Sequence, residues 1–288
     1  MMKVVIVGAG LGGLTAACLL SSKGHDVIVY EKNKAVGGKM NEVAKKGFRF
    51  DTGPSLFTMP FILEEVLSHC ELNLDDELDL LPLEPLCRYF FPDGTLFDNF
   101  YDKDRNEEEL RKFAPKDADN YRTFLKKASQ IYDKTASSFI FNPLFDLKDA
   151  STLNYMDLLS INAFSTVSKE VDKHFESDHL RQFFKRFTTY NGSSPYQAPA
   201  TMKVIQHVEL NQGGYYVCGG LYSIARLLQR VAKKQGVQFK MRNQIEMIAV
   251  SDKEVEGIYD EHGKFIDADI VVANADATYT YTKLLSKH

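Results

Sequence analysis

The first 31 residues follow an apolar and polar pattern that predicts a strand, a tight turn, a helix and a second strand. Lys3–Val7 is an apolar run of strand length, and the six residues after it include four glycines. Leu14–Leu20 is mostly apolar and predicts a helix. Asp26–Tyr30 is a second apolar run and is followed directly by Glu31. This order is that of a βαβ unit, in which two parallel strands are joined through a helix.

The pattern in the middle of the chain is different. Leu80–Leu83 and Leu86–Phe91 predict strands, and Pro92-Asp93-Gly94 predicts a hairpin turn after the second of them. Residues 104–190 have apolar side chains at three- and four-residue spacing, which predicts helices. Examples of this spacing are Tyr121, Phe124, Leu125 and Ala128.

The last third of the chain returns to alternating helix and strand patterns. Gly219 and Gly220 precede a predicted helix with apolar residues from Leu221 to Val231, and Gly236 is a suitable terminator for it. The strands predicted after this helix are Val237–Met241, Ile245–Val250, Val255–Tyr259 and Ala268–Ala273.

The glycines of the first turn indicate a site for a dinucleotide. Gly8 permits a tight exit from the strand, Gly10 lets the backbone approach a pyrophosphate, and Gly13 lets the helix pack closely on the sheet. The helix N-terminus then faces the phosphate charge. Glu31, at the end of the second strand, is placed to accept hydrogen bonds from a ribose, and its charge disfavours the 2′-phosphate of NADP. The alternative is an ordinary βα turn rich in glycine.

A second glycine pair indicates a cofactor larger than NAD. Gly37 and Gly38 are followed by Lys39, and the sequence Gly47–Ser55 follows. A surface position would also suit Lys39, but in this context we expect a phosphate contact. A pyrophosphate with a flavin attached would use both the glycine pair and the cation.

Composition limits the function classes. The chain has 288 residues, of which 44% are hydrophobic, enough for a sizeable core and two domains. The net charge of −4 gives no reason to expect nucleic-acid binding. No apolar run approaches the ~20 residues that span a bilayer, and the N-terminus enters the first strand directly, so no signal peptide is expected. The four cysteines, Cys18, Cys70, Cys87 and Cys218, form no C-x-x-C pair, which is typical of reduced thiols in the cytoplasm.

The sequence resembles the flavin-dependent amine oxidase and phytoene desaturase superfamily. Glu31-Lys32 through Gly37-Gly38-Lys39 matches its E-K-x-x-x-x-G-G-[KR] segment. Within the superfamily, the N-terminal portion of bacterial carotenoid desaturases is the most similar. The segments behind this narrower resemblance are Gly47–Ser55 with Met59-Pro60, Tyr190–Pro199, Gly213–Gly220 and Val271–Asp276.

The resemblance implies an α/β fold, a Rossmann-like FAD-binding domain with an inserted α+β domain for substrate and membrane contact. We expect residues 1–100 to hold the first FAD-binding segment and the start of the substrate-domain sheet. Residues 101–200 are expected to form the mostly helical substrate region, and residues 201–288 the second FAD-binding segment. The residues implied in FAD binding are Gly8, Gly10, Leu11, Gly12, Gly13, Glu31, Lys32, Gly38, Lys39, Gly53, Pro54, Ser55, Ile245, Asn274 and Asp276.

The implied activity is the desaturation of carotenoid precursors or hydroxycarotenoids, with hydride transfer from a long apolar polyene to the flavin. Residues 100–190 contain 16 of the 34 Phe and Tyr side chains, with a dense group at Phe139–Phe145. Taken alone, these rings favour an aromatic core, whereas the resemblance favours an apolar tunnel or a membrane-facing surface. The implied location is cytoplasmic and peripheral to the membrane, and the oligomeric state stays open.

Two alternatives remain from other classes: another flavin oxidoreductase, such as an amine oxidase or a retinoid saturase-like enzyme, and a non-catalytic nucleotide-binding fragment. No catalytic residue is assigned. Arg49, Asp51 and a residue beyond the end of this chain are only candidates. For Asp51, capping the turn at Gly53-Pro54 and the contact with the flavin cofactor that the resemblance implies are equally supported. His174 and His179 lie five apart and share no helix face, so no metal site is expected.

The chain differs from the family in its length. Family members continue well past the Ala273-Asn274-Ala275-Asp276 motif, whereas this sequence stops at His288. We therefore expect a fragment that lacks a C-terminal part and is inactive or poorly folded by itself.

Overall fold

The computed structural model describes residues 1–142 and 164–285, apart from the side chains of residues 138 and 139. The chain forms two compact units. Unit 1 consists of Met1–Leu81 and Tyr216–His288, and unit 2 is Pro82–Tyr215. The boundaries expected from the sequence lay at residues 100 and 200.

The strands are β1 (Lys3–Val7), β2 (Asp26–Glu31), β3 (Glu42–Lys45), β4 (Phe48–Asp51), β5 (Leu80–Pro82), β6 (Cys87–Phe90), β7 (Leu96–Asn99), β8 (Tyr215–Val217), β9 (Gln238–Met241), β10 (Ile245–Ser251), β11 (Glu254–Asp260), β12 (Phe265–Asp267) and β13 (Ile270–Ala273). The α-helices are α1 (Leu11–Ser22), α2 (Pro60–Ser68), α3 (Leu74–Glu77), α4 (Lys103–Phe113), α5 (Ala118–Phe139), α6 (Val167–His174), α7 (Asp178–Arg186), α8 (Val204–Gln212), α9 (Tyr222–Lys234) and α10 (Ala277–Tyr279). Phe187–Asn191 and Ala200–Lys203 are 3₁₀ turns, and Thr280–Leu284 is a π-helical turn.

Unit 1 is built on a parallel sheet with the strand order β13-β1-β2-β9. Val4 lies opposite both Val27 of β2 and Ile270 of β13, so β1 is paired on both sides. Val4, Val5 and Ile6 are completely buried, as expected for a central parallel strand covered on both faces. Helices α1 and α9 cover one face, and Cys18 of α1 donates a hydrogen bond to the Leu228 carbonyl of α9 at 3.3 Å.

The other face of this sheet packs on the antiparallel sheet β10-β11-β12. Val5 and Val7 of β1 form one apolar cluster with Ile248 and Ile258. The predicted helix after Gly220 and the four predicted strands of this region are confirmed with small shifts of their ends. The three-residue strand β12 was not predicted.

A two-stranded hairpin, β3–β4, follows the second glycine pair. Lys46 and Gly47 form its two-residue loop, and both have positive φ angles, 52° and 82°. Two successive positive φ angles match the right-handed twist of the strands on either side, so the hairpin is tight.

Unit 2 is mostly helical, which confirms the prediction for the described part of residues 104–190. Its core is rich in aromatic rings, most of which come from the hairpin β6–β7 and from helices α5 and α7. The rings of Phe175 and Phe184 are stacked at 4.7 Å, and Phe124 lies 4.6 Å from Phe184. The core rings with less than 2% exposure are Phe97, Tyr121, Phe124, Phe175, Phe183, Phe184 and Phe187. For these rings the structure favours the core interpretation, while residues 143–145 and the Phe139 side chain of the dense group lie outside the part of the chain that the structure describes.

Buried polar groups fix the helices of unit 2. The Asp117 carboxylate accepts hydrogen bonds from the amides of Glu176 and Ser177, which precede α7. The predicted turn at residues 92–94 is confirmed, with the Phe91 amide bonded to the Thr95 carbonyl at 2.9 Å. In the part of the chain that the structure describes, no helix is long and apolar enough to span a membrane.

Candidate dinucleotide-binding site

A cavity of about 760 Å³ lies in unit 1 where strands β1, β2 and β13 end. The carboxyl edge of a parallel sheet is the usual ligand position in doubly wound α/β proteins. The lining residues are Val7, Gly8, Gly10, Leu11, Gly12, Tyr30, Glu31, Lys32, Asn33, Gly37, Gly38, Lys39, Met40, Pro54, Asn243, Gln244, Ile245, Asn274, Ala275, Asp276, Tyr279 and Leu284.

The glycine turn leaves the start of α1 open to a ligand. Gly10 is the N-cap, it has no side-chain capping hydrogen bond, and the first turn contains no acidic side chain. The amides of a first helical turn have no partner within their own helix. Backbone amides and the helix dipole therefore favour an anion at this point.

Gly13 has the packing role that the sequence predicts. A Cβ atom at this position would lie 2.1 Å from the Gly8 carbonyl oxygen. Gly13 is buried and does not line the cavity. It therefore sets the distance between α1 and β1 and does not face a ligand.

Asn274 closes one side of the glycine turn. Its amide donates to the Val7 carbonyl at 2.9 Å, and its side chain donates to the Gly8 carbonyl at 3.3 Å. A Cβ atom at Gly12 would lie 2.7 Å from the Asn274 Oδ1 atom. Asn274 was predicted from the resemblance alone, and the structure gives it a physical task, holding the end of β13 against the turn.

Glu31 is buried and hydrogen-bonded within the chain. One carboxylate oxygen accepts from the Ala9 amide at 2.8 Å, and the other accepts from the Asn33 amide and side chain at 2.8 and 2.7 Å. A carboxylate has about four acceptor positions. One therefore remains for a hydroxyl group of a ligand in the cavity, as the ribose prediction requires.

The second glycine pair lies beside the first turn. The Gly37 amide donates to the Ala9 carbonyl at 2.8 Å, and Gly37 forms a parallel bridge with Gly10. A Cβ atom at Gly37 would lie 2.2 Å from the Met40 carbonyl. Lys39 is exposed and lines the cavity, so its charge is available to a phosphate.

The structure brings most of the predicted residues together. Twelve line the cavity, namely Gly8, Gly10, Leu11, Gly12, Glu31, Lys32, Gly38, Lys39, Pro54, Ile245, Asn274 and Asp276. Gly13, Gly53 and Ser55 do not. A Cβ atom at Gly53 would lie 2.1 Å from the Lys39 carbonyl, so Gly53 lets two backbone segments approach. Ser55 is exposed.

Several lining residues were missed by the sequence analysis. Asn243 and Gln244 precede the predicted strand that begins at Ile245, and this position is the only signal for them. Tyr279 and Leu284 follow the last predicted motif and belong to no recognisable pattern. The packing of the segment after Asp276 brings both of them to the cavity.

Asp51 caps a helix distant in sequence. Its carboxylate accepts from the amides of Leu221 and Tyr222, at 3.0 and 3.4 Å, at the start of α9. It does not line the cavity. Of its two predicted roles, the structure supports a structural one, although at a different place from the Gly53-Pro54 turn.

The residues present fit the nucleotide half of FAD. The glycine turn and helix start suit the pyrophosphate, Glu31 suits the ribose, and Lys39 adds a positive charge. Within residues 1–142 and 164–285, no group of three or more His, Cys, Asp or Glu side chains is arranged to hold a metal.

A parallel sheet with this edge cavity defines a dinucleotide-binding α/β protein. Residues 11–286 match the family described as flavin containing amine oxidoreductase. The chain therefore belongs to the flavin-containing amine oxidoreductase family, which confirms the predicted family and its FAD cofactor. The crystal structure of an oxidoreductase from Methanosarcina mazei has the same fold, with a TM-score of 0.70 at 19% identity, covering all of this chain and 62% of that one.

Two relatives have names from carotenoid chemistry. The 1-hydroxycarotenoid 3,4-desaturase of Flavobacterium sp. is 36% identical over 99% of this chain. The 4,4'-diaponeurosporene oxygenase of Staphylococcus aureus is 31% identical over 98% of it. The chain spans 59% and 57% of the lengths of these two relatives.

Proposed function

We propose that this chain is the FAD-binding portion of a desaturase that acts on carotenoid precursors or hydroxycarotenoids. The observation that supports this most is the edge cavity, which a glycine cradle, a buried carboxylate and an exposed lysine line together. The name of the 36% identical relative supports a polyene substrate.

Each group has a proposed task in holding the cofactor. The amides at the start of α1 bind the pyrophosphate, Glu31 accepts from the ribose, and Lys39 neutralises phosphate charge. Ile245 packs beside the adenine. When bound, the flavin supplies the hydride acceptor. We assign no catalytic base.

Unit 2 is proposed as the substrate region inserted into the FAD-binding unit. The chain leaves unit 1 at Leu81 and returns to it at Tyr216, which supports an insertion. Since the chain spans 59% of its 36% identical relative, we propose that turnover requires further sequence that such relatives have.

A second candidate is the oxygenation of a polyene. The name of the 31% identical relative favours it, because that protein is an oxygenase. The two activities differ in their products. A desaturase lengthens the conjugated system and shifts the visible absorption to longer wavelength, whereas an oxygenase adds mass as oxygen.

The first experiment tests the cavity. The purified chain is mixed with FAD, desalted, and its visible spectrum is recorded before and after reduction with dithionite. We expect a retained flavin spectrum that bleaches on reduction, and less retention by Glu31→Ala, which removes the ribose acceptor. A folded chain that retains no flavin would contradict the proposed site.

The second experiment tests the chemistry. The flavin-loaded chain and a full-length relative are each incubated with an acyclic carotenoid, a hydroxycarotenoid or a small amine. We expect the relative to convert a carotenoid and the 288-residue chain to bind FAD without turnover. If the amine were the only substrate converted, the polyene proposal would be contradicted. Turnover by the 288-residue chain without further sequence would contradict the proposal that turnover requires it.

A further inference from the structure

The hairpin β3–β4 exposes a face that is both aromatic and basic. Val43 lies opposite Phe50, and Lys45 lies opposite Phe48, so these four side chains share one face. We call Val43, Lys45, Phe48 and Phe50 the hairpin face. Phe48 is 67% exposed, Phe50 is 62% exposed and Val43 is 51% exposed.

The two rings form one continuous apolar surface. Phe48 and Phe50 are stacked with their centres 6.5 Å apart and an angle of 16° between their planes. A single exposed ring needs no explanation, but a contiguous exposed patch marks a contact surface.

The hairpin is fixed at its base, so this face is not a loosely held loop. The opposite face carries Arg49 and Asp51. Arg49 donates to the Gly219 carbonyl and lies 3.5 Å from Glu42, while Asp51 caps α9. Both carboxylates of the hairpin, Glu42 and Asp51, therefore have partners at its base and lie away from the hairpin face.

The charge at the tip is positive. Lys45 and Lys46 are exposed, and neither pairs with a carboxylate among the residues that the structure describes. A surface with aromatic rings and lysines side by side matches the boundary of an anionic bilayer. The rings enter the acyl region there, and the ammonium groups meet the lipid phosphates.

The hairpin is also joined directly to the cavity. Lys39 and Met40 line the cavity just before β3, and Pro54 lines it just after β4. A bilayer held at the hairpin face would therefore lie one short hairpin away from the cofactor site. In an enzyme that takes its substrate from a membrane, such docking would bring the lipid close to the cofactor site.

We propose that the hairpin face and Lys46 form a docking surface for an anionic lipid bilayer. The biological purpose of this docking surface rests on the proposed function. The docking itself does not, since vesicle binding is measured without flavin or substrate.

The test uses the absence of tryptophan from the chain. Phe48→Trp introduces a single indole at the hairpin face. Phe90→Trp is the matched control, because Phe90 is 74% exposed and lies opposite Leu96 in the hairpin β6–β7, whose loop carries Asp93 and no lysine. Both variants are titrated with vesicles of phosphatidylcholine and phosphatidylglycerol, with and without brominated acyl chains.

We expect the emission of Phe48→Trp to shift to shorter wavelength and to be quenched by the brominated lipid, and that of Phe90→Trp to change in neither respect. Vesicles of phosphatidylcholine alone, or high salt, are expected to weaken the binding. In co-sedimentation, Lys45→Gln with Lys46→Gln should lower the partition coefficient about 30-fold. Phe48→Ser with Phe50→Ser should lower it about tenfold or more.

Circular dichroism of each variant shows that it is folded, and FAD retention tests the cofactor site separately. Absence of vesicle binding by the folded chain overturns the proposal, whatever the flavin result. The proposal is also overturned if Phe48→Trp binds vesicles but its tryptophan emission does not change. If the chain does not bind vesicles and the serine variants change its oligomeric state, the hairpin face is a contact between two copies of the chain.

Discussion

Gly12 and Gly13 are neighbours at the start of α1, but a methyl group added to each meets different atoms. At Gly13 it meets the Gly8 carbonyl oxygen at 2.1 Å, which only a shift of the backbone relieves. At Gly12 it meets the Oδ1 atom of Asn274 at 2.7 Å, and rotation of that side chain relieves the contact at the cost of its 3.3 Å hydrogen bond to the Gly8 carbonyl. We expect Gly13→Ala to lower the free energy of unfolding by about 1–3 kcal/mol.

For Gly12→Ala we expect little loss of stability, since alanine is favoured over glycine in a helix by about 1 kcal/mol, and a clear loss of FAD retention. Urea unfolding and flavin retention after desalting separate the two effects. Equal destabilisation by both variants would show that the close contact at Gly13 is not the decisive one.

Glu31 has a structural task as well as the proposed cofactor task. It accepts from the Ala9 and Asn33 amides inside the chain. Removing it leaves those donors without their partner, which costs about 1–3 kcal/mol for each buried group that water cannot reach. We expect Glu31→Ala to lower stability even without FAD, and Glu31→Gln to keep most of the stability but retain less FAD. If Glu31→Ala unfolds at the same urea concentration as the parent chain, the internal hydrogen bonds are unimportant.

His174 makes the stability of unit 2 depend on pH. Burial lowers its pKa below the ordinary value of 6.5; the Lys127 and Lys203 ammonium groups add to this, and Glu170 opposes it. Its Nδ1 atom lies 2.7 Å from the Glu170 carbonyl and its Nε2 atom 2.7 Å from the Lys127 nitrogen, which suits a neutral ring with the proton on Nδ1.

The unfolded chain therefore binds a proton at His174 more readily than the folded chain. The resulting stability is fully present above about pH 6.5 and is lost as the pH falls below that value. We expect Tm to fall as the pH is lowered from 6.5 to 5. The change in Tm with pH should be smaller in His174→Gln than in the parent chain. An unchanged slope in this variant would assign the pH dependence to other groups.

At the scale of elements, the start of α9 depends on the hairpin β3–β4 through Asp51. Losing a capping side chain costs about 1 kcal/mol, and asparagine caps nearly as well as aspartate. We expect Asp51→Ala to lower Tm by about 2–4 °C and Asp51→Asn to stay close to the parent chain. If Asp51→Asn were as harmful as Asp51→Ala, the charge of Asp51 and not its cap would be needed.

Elements whose order is local in the sequence could be predicted, and contacts across the chain could not. The unit β1–α1–β2 was predicted because its apolar runs and glycines are adjacent in sequence. Asp51 shows the limit, since its partner amides lie 170 and 171 residues away in the sequence. In the candidate site, the glycine turn and Glu31 follow from motif chemistry. Tyr279 and Leu284 line the cavity only through the packing of a segment with no motif of its own.

At the scale of the whole molecule, unit 1 contributes all the residues that line the cavity. Every lining residue belongs to Met1–Leu81 or Tyr216–His288. Its two segments meet where the Cys218 amide donates to the Asp79 carbonyl at 2.9 Å, and the ends of unit 2 meet where the Leu83 amide donates to the Gly214 carbonyl at 3.0 Å. Each unit therefore has neighbouring ends, as inserted domains do.

Because the ends are neighbours, Pro82–Tyr215 can be replaced by a Gly-Ser linker of about four residues at little cost in loop entropy. We expect the shortened chain to fold and to retain FAD in the same molar ratio as the 288-residue chain. We expect Pro82–Tyr215 alone to be helical and to unfold cooperatively, because its aromatic core is its own. Circular dichroism melting and flavin absorbance after desalting measure both outcomes. A shortened chain that is folded but loses flavin, when the parent retains it, would show that the cofactor site needs unit 2.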